Sequence, residues 1–409
     1  MACIIPLTCI RPRPDLASKM ATGPHSALSR EEIAAKIRRN PLTYSRIVHP
    51  KELWGDDKNV YRKAAAQLQE WLSEGIMCTD TEPGYYLYRL RGGTHQQTGL
   101  VCRTPIDEII EGRIHAHETI RENKLRDLAS HIEICGAQIG GPILMAYRAR
   151  QSLSERIARL CTAEPLYSFT SENGIFNQIW KVTDAKEVEA LTREMAQIGD
   201  LYIADGHHRV MAAVEICRKR RSMGHYTGQE PWNYLACVCF EDEELQILPY
   251  ARMVKDRKGL SFREFTRMLA DSFDVAPAGE QVYPSERGEF LLYTEGTWLR
   301  LNVKKGVRPE TAPDFLDVAV LQRELLEKVL GIGDPRSDRR LDFVGGTNQR
   351  EAILGSCRRR EQVGILLYPT SMEEVFAVAD ADATMPPKST WFEPKLCNGL
   401  FLYEINAVK

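Results

Sequence analysis

The residues best suited to chemistry stand in LYIADGHHRVMAAVEI, the segment 201–216. Its apolar start predicts a strand that delivers Asp205, and Gly206 permits a tight turn with close backbone approach. A helix is predicted over Val210 to Ile216. Three polar residues stand at its start and in its first turn: His207, His208 and Arg209. Backbone N–H groups at a helix start, the positive end of the helix dipole and a guanidinium together favour phosphate binding. Asp205 can cap the helix or hold Mg²⁺. The alternative is a purely structural strand-to-helix turn.

A second polar segment runs from His115 to Thr119. Alternate histidines, His115 and His117, point the same way on an extended strand, and Glu118 beside them is suited to act as a general base. With His207 and His208 this segment could equally form a metal site for hydrolysis. A solvated polar loop is the remaining alternative.

The carboxy-terminal segment KSTWFEPK offers a third set of polar residues: Lys388, Ser389, Thr390 and Lys395. These residues could complete a phosphate site. The alternative is that the tail is only docked onto the protein by its apolar residues Trp391, Phe392 and Leu400. Arg252 is a further candidate, although an arginine at such a position usually lies at the surface.

The composition excludes several classes of protein. The 409 residues carry 54 Lys and Arg against 56 Asp and Glu, so no excess of positive charge favours nucleic acid as a partner. No stretch approaches the about 18 apolar residues of a membrane span, and Met1 to Pro14 lacks a targeting pattern. We therefore expect a cytoplasmic protein without a membrane partner.

The eleven cysteines are an odd number in a long chain, so we expect buried small hydrophobes rather than a disulfide framework. Cys237 and Cys239 share one face of a predicted strand, but no second pair stands nearby and no metal site is expected there. The common nucleotide-binding motifs GxxxxGK[ST] and GxGxxG after a strand are absent, as is the nucleophile elbow GxSxG.

The remaining pattern predicts an α+β fold with mixed sheets, because strands and helices do not alternate strictly. Capping boxes at Ser29, Asp184, Ser261 and Ser371 predict helix starts. Hairpins are predicted around Asn173-Gly174 and Glu295-Gly296 and across the acidic turn 241–244. We predict an amino-terminal region 1–104, a core 105–218 and a carboxy-terminal region 219–409.

These motifs resemble those of the family catalogued as domain of unknown function ten-fifteen. The resemblance rests on the DGHHR loop 205–209, on the segment Gly112 to Thr119, and on the terminal motif from Met385 to Leu400. Asn40-Pro41, the segment 97–100 and the stretch beginning at Leu316 also fit. The family usually shows Pro-Tyr-Asp where this chain has Pro24-His25-Ser26, so no role of that Tyr or Asp is carried over.

The central region is similar to the ParB/sulfiredoxin fold, and most of all to its free L-serine kinases. That resemblance implies a nucleotide-binding core in which Glu118 is the base and His117 its neighbour. It further implies that Asp205 binds substrate or Mg²⁺ and that four loop residues bind the phosphates of ATP or ADP: Gly206, His207, His208 and Arg209. Sulfiredoxin has Cys where this chain has His207, so sulfinic-acid reduction is not expected.

Three hypotheses follow from these patterns. The first is a Mg²⁺-dependent kinase whose partners are a nucleotide and a small hydroxylated metabolite such as free serine. The second is a metal-dependent nucleotide or phosphoester hydrolase, and the third is a nucleotide-binding switch without catalysis. A homodimer is left open.

Overall fold

A computed structural model describes residues 3–23, 28–280 and 282–406. The departure at Pro24-His25-Ser26 lies outside these described residues. The strands are β1 (Ile10–Pro12), β2 (Met77–Thr79), β3 (Tyr85–Gly92), β4 (His95–Pro105), β5 (Ile114–His115), β6 (Ala137–Gln138), β7 (Ile143–Tyr147), β8 (Tyr167–Thr170), β9 (Phe176–Val182), β10 (Leu201–Asp205), β11 (Tyr234–Glu241), β12 (Gln246–Leu248), β13 (Ala251–Val254), β14 (Phe273–Pro277), β15 (Glu289–Thr294), β16 (Thr297–Val303), β17 (Leu341–Val344), β18 (Val363–Leu367), β19 (Trp391–Glu393) and β20 (Tyr403–Glu404).

The α-helices are α1 (Ala17–Met20), α2 (Arg30–Arg39), α3 (Ser45–Val48), α4 (Pro50–Trp54), α5 (Val60–Ser73), α6 (Asp107–Ile110), α7 (Glu122–Cys135), α8 (Gln151–Leu160), α9 (Ala185–Met195), α10 (His207–Ser222), α11 (Phe262–Leu269), α12 (Asp317–Leu321), α13 (Gln349–Ser356) and α14 (Met372–Asp380). Short 3-10 helices span Pro14–Leu16, Pro231–Asn233 and Asp242–Glu244, and a π-helical segment, Gln322–Glu327, continues α12. No helix among the described residues is both long enough and apolar enough to cross a bilayer.

Contacts divide the chain into two units. Unit 1 comprises Met1–His115, Ile120–Leu245 and Pro394–Lys409, and unit 2 comprises Ala116–Thr119 and Gln246–Glu393. The division at 104 and 218 expected from the sequence stays a prediction.

Unit 1 is built on a mixed sheet with the strand order β5-β10-β7-β11-β4-β3-β9-β8. β10 runs parallel to β5 and antiparallel to β7, while β11 runs parallel to β7 and antiparallel to β4. Its core includes the fully buried side chains of Leu87, Tyr147, Leu201 and Val210. β10, an inner strand of this sheet, therefore ends directly before α10.

Unit 2 contains a second sheet with the order β14-β16-β15-β18-β13-β17, in which neighbouring strands are antiparallel. A separate pair joins β12 to β19. The α+β class with mixed sheets is confirmed.

Local signals in the sequence account for many of these elements. The predicted capping boxes at Ser29, Ser261 and Ser371 are present, because each serine accepts from the N–H of the third helical residue and the Glu side chain of that residue accepts from the N–H of the serine. Asp184 also starts its predicted helix, as a simple N-cap that accepts from the N–H groups of Lys186 and Glu187. The hairpin around Asn173-Gly174 is confirmed by β8 and β9, and the hairpin at Glu295-Gly296 by β15 and β16.

The predicted hairpin across 241–244 is wrong. β11 pairs with β4 and β7, whereas β12 pairs with β19. The acidic stretch forms the 3-10 helix Asp242–Glu244 instead of a two-strand turn. Hydrogen bonds to strands far along the chain therefore decided the pairing, and these are not visible in the local pattern.

Candidate functional site

The predicted loop joins β10 to α10 in unit 1. α10 begins at His207, and its N-cap residue Gly206 has a φ of 107° and a ψ of 21°. A Cβ atom at this position would lie 2.9 Å from Nη2 of Arg209 and 3.0 Å from Cδ1 of Ile143. Glycine is therefore required both for the backbone conformation and for the close approach of Arg209. No side chain caps this helix start.

Arg209 ties the loop to the segment before β7. Its Nη1 donates to the carbonyl oxygens of Gly140, of Gly141 at 2.7 Å and of Pro142 at 3.3 Å. A Cβ atom on Gly140 would lie 2.7 Å from Cδ of Arg209, so this contact also depends on glycine. Burial lowers the pKa of Arg209, and the charge of Asp205 opposes that effect. The guanidinium thus has a structural role in addition to the phosphate binding predicted for it.

Asp205 forms an ion pair that the sequence did not predict. Nζ of Lys395 lies 3.1 Å from Oδ2 of Asp205, and the side chain of Asp205 is 45% exposed while that of Lys395 is 14% exposed. Burial raises the pKa of Asp205, but the charges of Lys395 and Arg209 outweigh it and lower the pKa below its ordinary value. The carboxylate is therefore ionised at neutral pH.

The carboxy-terminal segment of unit 1 positions Lys395. Thr22 and Asn398 exchange two backbone hydrogen bonds of 3.1 and 2.8 Å, and β20 pairs with β6. Leu400, one of the predicted docking residues, is fully buried. The burial of Leu400 agrees with the docking alternative for that residue, and the ordered segment brings the ammonium of Lys395 to the loop.

The histidines of unit 1 have defined surroundings. Nε2 of His208 accepts a hydrogen bond of 3.1 Å from the backbone N–H of Arg121, just before α7. His207 is buried. His115 lies 3.2 Å from Asp200 and stacks on Tyr202. Among the described residues of unit 1, His115, His207 and His208 do not form a group with metal-ligand spacing.

Unit 2 contains the predicted base and its neighbour. His117 is buried, and its carbonyl oxygen accepts a hydrogen bond of 2.9 Å from the backbone N–H of Met385. Glu118 is exposed. The His-Glu segment therefore lies beside the first residue of the terminal motif.

The Lys-Ser-Thr segment in unit 2 is held by a buried arginine. Nη2 of Arg252 donates to the carbonyl oxygen of Lys388 at 3.1 Å, and Lys388 has a φ of 61°. Arg252 is 3% exposed, so the expectation of a surface arginine is wrong. Burial lowers its pKa, and its guanidinium lies 4.6 Å from the ring of Phe343.

The side chains of this segment have local partners. Nζ of Lys388 lies 3.5 Å from Oη of Tyr250 and 4.9 Å from the centre of its ring. The hydroxyl of Ser389 donates to the carbonyl oxygen of Pro386 at 2.6 Å. The segment is therefore ordered by local contacts, and phosphate binding by Lys388, Ser389 and Thr390 stays a prediction.

The fold and the loop together define a mixed α+β protein with a polar strand-to-helix site. The chain belongs to the family described as "Protein of unknown function (DUF1015)", whose model matches residues 4–322. The terminal motif, including Lys388 and Lys395, lies beyond the matched residues. No curated protein matches the chain.

Several solved structures show a limited similarity to this chain. SbnI with a C-terminal truncation, from Staphylococcus aureus, is 14% identical, with a TM-score of 0.37 over 74% of this chain and 86% of that one. A conserved hypothetical protein from Pyrococcus furiosus is 14% identical, with a TM-score of 0.36 over 73% and 93% of the two chains. A mutant free serine kinase in complex with ADP is 14% identical, with a TM-score of 0.38 over 75% and 92%.

Proposed function

We propose that this protein is a Mg²⁺-dependent phosphotransferase that binds ATP or ADP and acts on the hydroxyl group of a small metabolite, with free L-serine as the first candidate. The observation that carries the proposal is the charge arrangement at the start of α10. Asp205, Arg209 and Lys395 converge on one helix start that no side chain caps. The proposal rests on these residues of the chain itself and on its motifs.

The helix start favours an anion. The dipole of a helix of this length places partial positive charge at its first turn, and phosphate groups bind readily there. Lys395 adds a full positive charge 3.1 Å from Asp205. A metal–nucleotide complex carries both signs of charge, so an adjacent carboxylate and ammonium match it better than either group alone.

The residues present also fit Mg²⁺. Magnesium is usually bound through one or two carboxylates together with substrate phosphates. Asp205 is ionised and its side chain is 45% exposed, so it would hold the ion. Bound Mg²⁺ would neutralise the charge of the nucleotide phosphates.

The transfer step needs a base for the acceptor hydroxyl, and positioning and charge neutralisation supply most of the remaining catalysis. We assign the base to Glu118, the residue given by the His-Glu motif, with His117 as its neighbour. The proton of the hydroxyl moves to the carboxylate of Glu118, and the hydroxyl oxygen forms the new bond to phosphorus as the bond to the nucleotide breaks.

Nucleotide binding is tested by calorimetry on the full chain with AMP, ADP and ATP, with and without Mg²⁺. We expect Asp205→Asn to lose the part of the affinity that depends on Mg²⁺. Asp200→Asn is the matched control, since Asp200 is similarly exposed and pairs with His115 in the same unit. Absence of nucleotide binding by the unmodified protein would refute the proposal.

Phosphotransfer is tested separately by ³¹P NMR with a panel of hydroxy amino acids and either ADP or ATP. Glu118→Gln should abolish product while nucleotide affinity is kept, and Glu122→Gln, an exposed glutamate four positions later, should leave turnover unchanged. Binding without turnover of any acceptor would favour the nucleotide-binding switch instead.

A further inference from the structure

Three cysteine side chains meet in the core of unit 1, and none of them is used by the proposed function. Cys102 on β4 lies opposite Cys237 on the antiparallel strand β11, and Cys239 follows two residues later on the same face. The sulfur–sulfur distances are 3.4 Å for Cys102–Cys237, 3.8 Å for Cys102–Cys239 and 4.0 Å for Cys237–Cys239. All three residues are 0% exposed, and none is in a disulfide.

We propose that Cys102, Cys237 and Cys239 bind a single copper(I) ion as a three-coordinate thiolate site. A point equidistant from the three sulfur atoms lies about 2.2 Å from each of them. A zinc–thiolate bond is about 2.3 Å long, so the triangle already has the size of a metal–sulfur site. An ion at its centre requires no movement of the strands.

The number and type of ligands select the ion. Among the described residues, the three cysteines form a group with the spacing of metal ligands. No histidine or carboxylate belongs to that group, so the site offers three ligands. Structural zinc sites almost always have four ligands. Thiolates are soft ligands that favour Cu(I), and three sulfur atoms provide a complete site for it.

The three sulfurs would bind the ion as thiolates. Metal binding therefore releases the thiol protons to solvent. The electrons of the metal–sulfur bonds come from the thiolates, and copper enters and stays as Cu(I), so no oxidant is needed.

The test measures copper on the full chain. Protein produced in copper-supplemented cells and purified without oxygen should keep about one copper per chain through gel filtration, as measured by mass spectrometry of the metal. Cys239→Ala should lower this content at least tenfold. Cys217→Ala is the matched control, since Cys217 is equally buried in the same core but lies outside the triad.

A second measurement keeps the test decisive if the variant fails to fold. X-ray absorption of the unmodified protein should show Cu(I) with three sulfur neighbours. A protein without copper, copper retained equally by Cys239→Ala, or copper with nitrogen or oxygen neighbours would each overturn the site. Zinc at one per chain in place of copper would overturn the assignment of the ion.

Discussion

Nζ of Lys395 lies 3.1 Å from Oδ2 of Asp205, although 190 positions separate the two residues along the chain. The pair joins the carboxy-terminal segment of unit 1 to the loop that precedes α10. It makes Lys395 the strongest candidate for a phosphate ligand that lies outside the loop itself.

Replacing Lys395 by Met should weaken ADP binding by about tenfold or more, because one hydrogen bond to a charged group contributes about 1.5–3 kcal/mol. Calorimetry on the two proteins measures the change. Lys181→Met is the control, since Lys181 pairs with Asp80 at 3.0 Å in the same unit and has no part in the proposed site. Equal loss of affinity in both variants would show that Lys395 acts only through stability.

Gly206→Ala should destabilise the protein more than Gly199→Ala. Both glycines have positive φ, which costs an alanine about 1–2 kcal/mol. Only at Gly206 would the new methyl group also contact Arg209 and Ile143, at 2.9 and 3.0 Å, whereas no atom lies within 4 Å of it at Gly199. Urea denaturation compares the free energies of unfolding, and similar losses would contradict the close packing of Arg209 against the turn.

Local elements were predictable from the sequence because their signals are local. The capping box at Ser29, the turn at Asn173-Gly174 and the strand before Asp205 each depend on neighbouring residues, and each is present. The hairpin across 241–244 failed for the opposite reason. Strands β11 and β12 each satisfy their hydrogen bonds with distant partners.

The candidate site, too, could be predicted only where its residues are neighbours in the sequence. The residues of the DGHHR loop are contiguous, so their type and order could be interpreted directly. The pairing of Lys395 with Asp205 and the burial of Arg252 depend on how the terminal motif packs. Cys102 joins Cys237 from 135 positions away. Spacing along one sequence carries no signal for such contacts.

Lys388→Gly separates the function of the Lys388 ammonium from its structural effects. Lys388 has a φ of 61°, a conformation that costs a non-glycine residue about 1–2 kcal/mol. Glycine should therefore keep or raise stability, while loss of the ammonium should slow phosphotransfer at least tenfold if Lys388 binds phosphate. Asp382→Gly is the control, because Asp382 has a φ of 50° in the same unit. Unchanged turnover in Lys388→Gly would contradict the predicted phosphate binding by Lys388.

His131 should make the stability of the protein depend on pH. It lies buried on α7, stacked on Tyr61 with 4.2 Å between ring centres, and burial lowers its pKa to about 3. In the unfolded chain the ordinary pKa is about 6.5. The unfolded state therefore binds more protons between these values, so the contribution of the neutral ring is complete above about pH 6.5 and is lost as the pH falls toward 3. The free energy of unfolding then changes by up to about 1.4 kcal/mol per pH unit.

His131→Phe keeps an aromatic ring against Tyr61 but cannot titrate. Urea denaturation between pH 4 and 7 should therefore show a weaker dependence of the unfolding free energy on pH for the variant. Parallel profiles would show that His131 does not contribute.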